Sequence, residues 1–252
     1  MTDTLINTTS LQNQNTSFRL RRNDEGGELI SLILFDLDGT LADTAPDIAV
    51  AINTLRMEEQ RDPLPYAQLR ALVSRGANAL LYFAFGTRPG DADHDRLRQR
   101  FLTLYGQNLC QDTQLFPDVE DVLQTLETAG YTWGIVTNKP GALARPLLDK
   151  LQLRKRLSCL VTGDCLPHRK PHPDPLLDAC QQANRSVAQA VYVGDAQCDM
   201  QAAQAANMPG LLAAYGYISE DDNPNDWQPT ATLKQPADLL DWLHQQHARK
   251  AV

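Results

Sequence analysis

The feature that most restricts the fold is a short apolar run, Leu32-Ile33-Leu34-Phe35, that stops abruptly at Asp36-Leu37-Asp38-Gly39-Thr40. Four apolar residues in succession suit a strand buried on both faces, the environment of a parallel sheet. The chain beyond Phe116 supplies companions. Helical and strand patterns alternate there: helix 118–129 stopped by Gly130, strand 133–136, helix 142–151, strand 157–161, helix 175–183, strand 190–193, helix 199–206, strand 210–214, and a last amphipathic helix over 236–247. Such alternation predicts an α/β fold, a parallel sheet with helices on both faces.

Between these parts the pattern changes. From Thr44 to about Leu109 the periodicity is helical, with helices predicted over 47–55, 66–73, 77–85 and 91–109, separated by breaks that carry Pro or Gly. The expected organisation is a disordered leader over 1–28, a catalytic core over 29–43 and 112–252, and a helical cap over 44–111. A helical block inserted straight after a polar turn can serve as a lid that excludes water. A subdomain that only adds bulk accounts for the same pattern.

Composition narrows the partners. A formal charge of −8 and a pI near 5.1 argue against a nucleic-acid backbone or an anionic membrane. They also require that a site for an anionic substrate bring its own positive charge. No stretch reaches the roughly 18 apolar residues of a membrane span. The first sixteen residues lack the apolar centre of a secretory signal. Five cysteines with no CxxC pair fit reduced thiols, so a cytoplasmic protein is expected. Arg19, Arg21 and Arg22 form a small basic patch in the leader, to which no function is assigned.

Chemistry can sit in four places. Asp36 and Asp38, one residue apart at the end of a strand, suit a nucleophile and a proton donor and acceptor; a polar turn explains them equally. After 133–136 come Thr137-Asn138-Lys139, where a hydroxyl and a backbone N–H can bind a phosphoryl oxygen, though Thr-Asn is also ordinary turn chemistry. In His168-Arg169-Lys170-Pro171-His172-Pro173 the prolines exclude a helix interior, so His168 and His172 cannot form a helical metal pair. Lys170 there is either a cation that neutralises a nucleophile together with a phosphoryl group, or a surface lysine. Asp195 and Asp199, in Gly194-Asp195-Ala196-Gln197-Cys198-Asp199, suit a hard divalent cation such as Mg²⁺. Asp199 is also explained as an acid at a helix N-terminus, and Cys198 as a packing residue. Together the four form a site for phosphoryl transfer.

The runs DLDGT, VTN, RKPHP and VGDAQCD resemble the four signature motifs of the haloacid dehalogenase-like (HAD) hydrolase superfamily, over residues 30 to about 245. The insert resembles the C1 cap of its phosphoglycolate phosphatase group. The resemblance implies a Rossmann-like core and a Mg²⁺-dependent phosphatase. Asp36 would attack phosphorus and become an aspartyl phosphate, and Asp38 would protonate the departing alkoxide and then activate water. Mg²⁺ would be held by the Asp36 side chain, the Asp38 carbonyl and Asp195, with Asp199 close by. Thr137, the Asn138 backbone and Lys170 would hold the phosphoryl oxygens. An acid two residues after the nucleophile favours ester hydrolysis.

The cap would read the rest of the substrate. Ser74-Arg75-Gly76-Ala77 lies in a break between cap helices, where the family's specificity loop falls, so Arg75 and Gly76 are expected to bind substrate. Arg75 can pair with a substrate carboxylate or be a solvated loop arginine. The runs Tyr215-Gly216-Tyr217-Ile218, Ser74 to Leu80 and Arg98-Gln99-Arg100-Phe101, with Trp227, resemble the N-acetylmuramic acid 6-phosphate phosphatases of peptidoglycan recycling. That makes this sugar phosphate the expected substrate, with 2-phosphoglycolate as the alternative. A β-phosphoglucomutase-like isomerase and a non-catalytic phosphosugar-binding regulator are readings from other classes. The expected partner is then a small phosphorylated metabolite, with no nucleic acid and no membrane, and the expected state of the chain is a monomer or homodimer.

Overall fold

The computed structural model describes residues 29–249, so the leader expected over 1–28 lies outside the described residues. The chain enters through β1 (Leu32–Phe35) and turns into the two-residue β2 (Ala42–Asp43). Four helices follow: α1 (Ala45–Glu58), α2 (Tyr66–Arg70), α3 (Ala77–Phe85) and α4 (His94–Gln107). Next, β3 (Gln114–Leu115) returns antiparallel to β2. The rest alternates as α5 (Val119–Thr128), β4 (Thr132–Val136), α6 (Gly141–Lys150), β5 (Cys159–Val161), α7 (Asp174–Gln182), β6 (Ala190–Gly194), α8 (Gln197–Ala205), β7 (Gly210–Ala213), β8 (Ala231–Leu233) and α9 (Asp238–Arg249).

Six strands form one parallel sheet in the order β5-β4-β1-β6-β7-β8, the Rossmann-like α/β arrangement expected. All four β1 side chains are buried, each contributing about 1.5–3 kcal/mol. They alternate between faces, as a strand requires. Ile33 and Phe35 join the core beneath α5, α6 and α9, which continues into α1, α3 and α4, whereas Leu32 and Leu34 pack on the side of α7 and α8. Because the chain crosses to β4 on one side and β6 on the other, β1 stands where the strand order reverses. In open α/β sheets that is where ligands bind, beyond the carboxyl ends of the strands.

The helical block is tied to the sheet at its base. Asp47, buried in the first turn of α1, accepts hydrogen bonds from the backbone N–H groups of Gln111 (3.1 Å), Asp112 (2.9 Å) and Thr113 (3.1 Å), and from the Thr113 hydroxyl (2.6 Å). One carboxylate thus holds the outgoing and returning connections side by side.

Several elements differ from expectation. The helix predicted over 66–73 stops at Arg70, and a 3-10 turn, Val73–Arg75, follows it. That turn ends at Gly76, whose φ of +82° breaks the helical path. The fourth helix begins at His94 rather than 91, because the Asp91 carboxylate caps the Arg88 N–H (2.7 Å) in a local turn. β2, β3 and β8, two or three residues each, are too short to show a period of two in sequence. The five cysteines are free thiols, and no helix of the described residues is long and apolar enough to cross a membrane.

Candidate active site

Asp36 is the first residue beyond β1, and its N–H still bonds the Val193 carbonyl at 2.8 Å, so the sheet itself fixes its backbone. The turn that follows needs glycine. Gly39 has φ of +83°, and a Cβ there would lie 2.1 Å from an oxygen of Asp195. This close approach lets the Thr40 hydroxyl donate to Asp195 Oδ1 at 3.2 Å. The Gly194-Asp195 strand end is thereby locked onto the Asp36 turn.

Lys170 reaches the same point from the loop before α7. Its buried ammonium lies 3.0 Å from Asp36 Oδ1 and 2.7 Å from Asp199 Oδ1, and it donates to the Val136 carbonyl (3.1 Å) and the Tyr192 hydroxyl (2.7 Å). Burial opposes its charge, but Asp199 and Asp36 outweigh burial and hold its pKa above the ordinary lysine value. Tyr192, from β6, is a member of the site that sequence reasoning missed, since a tyrosine inside an apolar strand looks like core. Its hydroxyl also lies 3.1 Å from Asp199 Oδ1. Asp199 is wholly buried and takes the Ala196 N–H at 3.0 Å, so its helix-terminus role and its place in the site coexist.

Asp36, Asp195 and Asp199 each place a carboxylate oxygen within 4.8 Å of the others, all buried. One lysine does not balance them. Burial, more than the repulsion of Asp199 and Asp38, pushes Asp36 up to about 6 against the pull of Lys170. Burial, then Asp199 and Asp36, pushes Asp195 up to about 8, although Ser74 Oγ (2.6 Å) and the Tyr217 N–H (2.9 Å) both donate to it. Asp36 Oδ1, moreover, has no partner in hydrogen-bond geometry; its contact with Lys170 is ionic only. An all-oxygen, over-charged cluster with an orphaned buried oxygen fits a hard divalent cation, Mg²⁺ above all.

Asp38 sits apart from this cluster, on the side of the helices. Its Oδ1 accepts from Thr44 Oγ1 at 2.5 Å and from Lys139 Nζ at 2.8 Å. Thr44 and Lys139 were given no role from sequence, nor was Ser74, whose partner Asp195 is 121 residues away. Thr137 is buried beside them, and its Oγ1 accepts the Lys139 N–H (3.2 Å), which leaves its own proton to donate. The Asn138 amide donates to the Lys170 carbonyl at 3.0 Å, bracing the lysine loop.

A cleft of about 700 Å³ opens between Lys170 and Asp195 on one side and Ser74, Arg75 and Gly76 on the other. Arg75 lines it, with its guanidinium paired to Asp222 at 2.9 Å. A smaller recess of about 100 Å³ adjoins Asp36, Asp38 and Lys139. His168 and His172 lie in a non-helical loop, as expected, yet their rings stack at 4.3 Å and both approach the Asp174 carboxylate at the exposed surface, away from the acids.

Against known families, residues 33–213 match the haloacid dehalogenase-like hydrolase model, more than half of the sequence. The chain belongs to the haloacid dehalogenase-like hydrolases. It is 44% identical over 207 residues to a phosphoglycolate phosphatase of Xanthomonas campestris pv. campestris, covering 82% of this chain and 93% of that one. It is 34% identical over 214 residues to an N-acetylmuramic acid 6-phosphate phosphatase of Pseudomonas aeruginosa, covering 85% and 95% respectively. Among solved structures, a predicted phosphoglycolate phosphatase from Haemophilus somnus 129pt superposes with a TM-score of 0.76 at 29% identity, covering 84% of this chain and 97% of that one.

Proposed function

We propose that this phosphatase hydrolyses a small phosphate monoester in two steps, with Mg²⁺ as cofactor and Asp36 as nucleophile. The observation that carries the reading is the convergence of Asp36, Lys170, Asp195 and Asp199 in one buried cluster beyond β1, in a chain whose curated relatives are named phosphatases. In the first step a carboxylate oxygen of Asp36 attacks phosphorus and the bond to the leaving oxygen breaks. Asp38 gives that oxygen its proton, and the alcohol departs. In the second step Asp38 takes a proton from water, the water oxygen attacks phosphorus, and the bond to Asp36 breaks to release phosphate.

The roles assigned to the other residues follow from their contacts. Lys170 neutralises Asp36 and a phosphoryl oxygen together, while Tyr192 and Asp199 keep it aimed. Thr137 and the Asn138 backbone donate to the remaining phosphoryl oxygens. Asp36, the Asp38 carbonyl and Asp195 would hold Mg²⁺, with Asp199 beside them. When bound, the ion neutralises the acids and draws charge from the phosphoryl group. The helices over 44–111 act as the cap, and Ser74, Arg75 and Gly76 line the substrate entrance.

For the substrate, the favoured reading is N-acetylmuramic acid 6-phosphate. A cleft of about 700 Å³ suits a ligand of sugar size better than a two-carbon acid. The 44% identity to a phosphoglycolate phosphatase supports 2-phosphoglycolate as the second reading. The test is phosphate release from both compounds and a set of hexose phosphates, with Mg²⁺ and with a chelator. The expected result is Mg²⁺-dependent release with the highest kcat/KM on the muramic acid ester. Release from none of them, or conversion of glucose 1-phosphate to glucose 6-phosphate without free phosphate, would overturn the reading.

A further inference from the structure

Arg75 is the cation that sequence suggests for a substrate carboxylate, but its side chain is 45% exposed and already paired with Asp222. Lys170 is also engaged, with Asp36, Asp199, Tyr192 and Val136 around its three N–H donors. Lys139 is different. Its side chain is 5% exposed, and its ammonium meets Asp38 Oδ1 and, beside it, the hydroxyl of Tyr105. A second feature lies beside it. Tyr105, from α4, sits with its ring 4.5 Å from Lys139 Nζ, and its buried hydroxyl has no partner in hydrogen-bond geometry. Both side chains line the recess next to Asp36 and Asp38. An ammonium and a hydroxyl buried together at one recess, each with hydrogen-bonding capacity left unused, are costly unless a bound group takes it up.

Position indicates what that is. In the proposed reaction Asp38 meets the leaving oxygen, and Lys139 is 2.8 Å from Asp38. A group one or two bonds beyond the leaving oxygen therefore falls beside Lys139. We infer that Lys139, with Tyr105 as second donor, determines specificity by binding a carboxylate carried on the leaving-group side of the substrate. The inference rests on the phosphatase reading above and bears on its second substrate, 2-phosphoglycolate, whose carboxylate stands that close to the leaving oxygen; the lactyl carboxylate of N-acetylmuramic acid 6-phosphate lies too far from its 6-oxygen to reach Lys139 in this way. Net acidity of the chain makes this local cation the more necessary, because long-range attraction for an anion is lacking.

The test compares kcat/KM for 2-phosphoglycolate and ethyl phosphate, which has a methyl group in place of the carboxylate, in the wild type, Lys139→Gln, Lys139→Arg and Tyr105→Phe. A loss of general acid–base function through Asp38 lowers both substrates together and cancels in the ratio. The expected result is a wild-type preference for the carboxylate that falls roughly 10- to 100-fold in Lys139→Gln, is partly kept in Lys139→Arg, and falls several-fold in Tyr105→Phe. Should Lys139→Gln not fold, the Tyr105→Phe ratio and the Ki of glycolate against it decide. A wild-type enzyme indifferent to the carboxylate, or a ratio unchanged while both rates drop, overturns the inference and leaves the phosphatase reading standing. A wild-type protein that releases phosphate from neither ester, nor from p-nitrophenyl phosphate, removes both.

Discussion

The acids of the site control how its stability depends on pH and metal. A carboxyl whose pKa rises on folding binds more protons folded than unfolded, so ionising it costs stability. Without a cation, stability is therefore lost as pH climbs from the ordinary value of 3.8 through about 6 for Asp36 and about 8 for Asp195. On the proposed reading Mg²⁺ would bind both groups ionised and offset that loss, so its stabilising effect should grow with pH. Thermal unfolding with and without Mg²⁺ checks this: the rise in Tm should be larger near pH 8 than near pH 5.5, and an equal rise at both contradicts it. Six site residues are legible in sequence: Asp36, Asp38, Thr137 and Asp195 because each sits at or just past an apolar run where a strand ends, Lys170 because it stands in a stiff proline-bearing loop before a helix, and Asp199 because it opens the helix after the last of these strands. Thr40, Thr44, Ser74, Lys139 and Tyr192 are not. Each looks like turn, surface or core until the fold brings a carboxylate to it, as Ser74 meets Asp195 across 121 residues.

At the scale of elements, one side chain holds together the two connections between helices and sheet. Replacing Asp47 with Ala strands three backbone N–H groups and a hydroxyl near the base of α1. Urea denaturation of Asp47→Ala should show a loss of about 3 kcal/mol, and a change within about 0.5 kcal/mol would refute this role. The long helices were legible from their apolar period and their Gly and Pro stops. Their ends were less so, since Asp91 and Gly76 terminate helices through local geometry that periodicity does not encode. The partners of Asp47 lie 64 to 66 residues along the chain and carry no local signal.

For the whole molecule, the order of strands explains why so much was readable. Once β1 is central and parallel, its carboxyl end must adjoin those of β4 and β6, and the polar residues following each must meet. The short strands and the two cavities come only from packing. Everything in the account turns on a phosphoryl group passing through Asp36. The most direct measurement mixes the enzyme briefly with substrate and Mg²⁺, quenches in acid, and maps the protein by mass spectrometry. The account predicts one added phosphoryl group on the peptide that contains Asp36, absent in Asp36→Asn, whose turnover falls at least roughly 10³-fold. Full turnover with no phosphorylated peptide, or with the group on another residue, would contradict it.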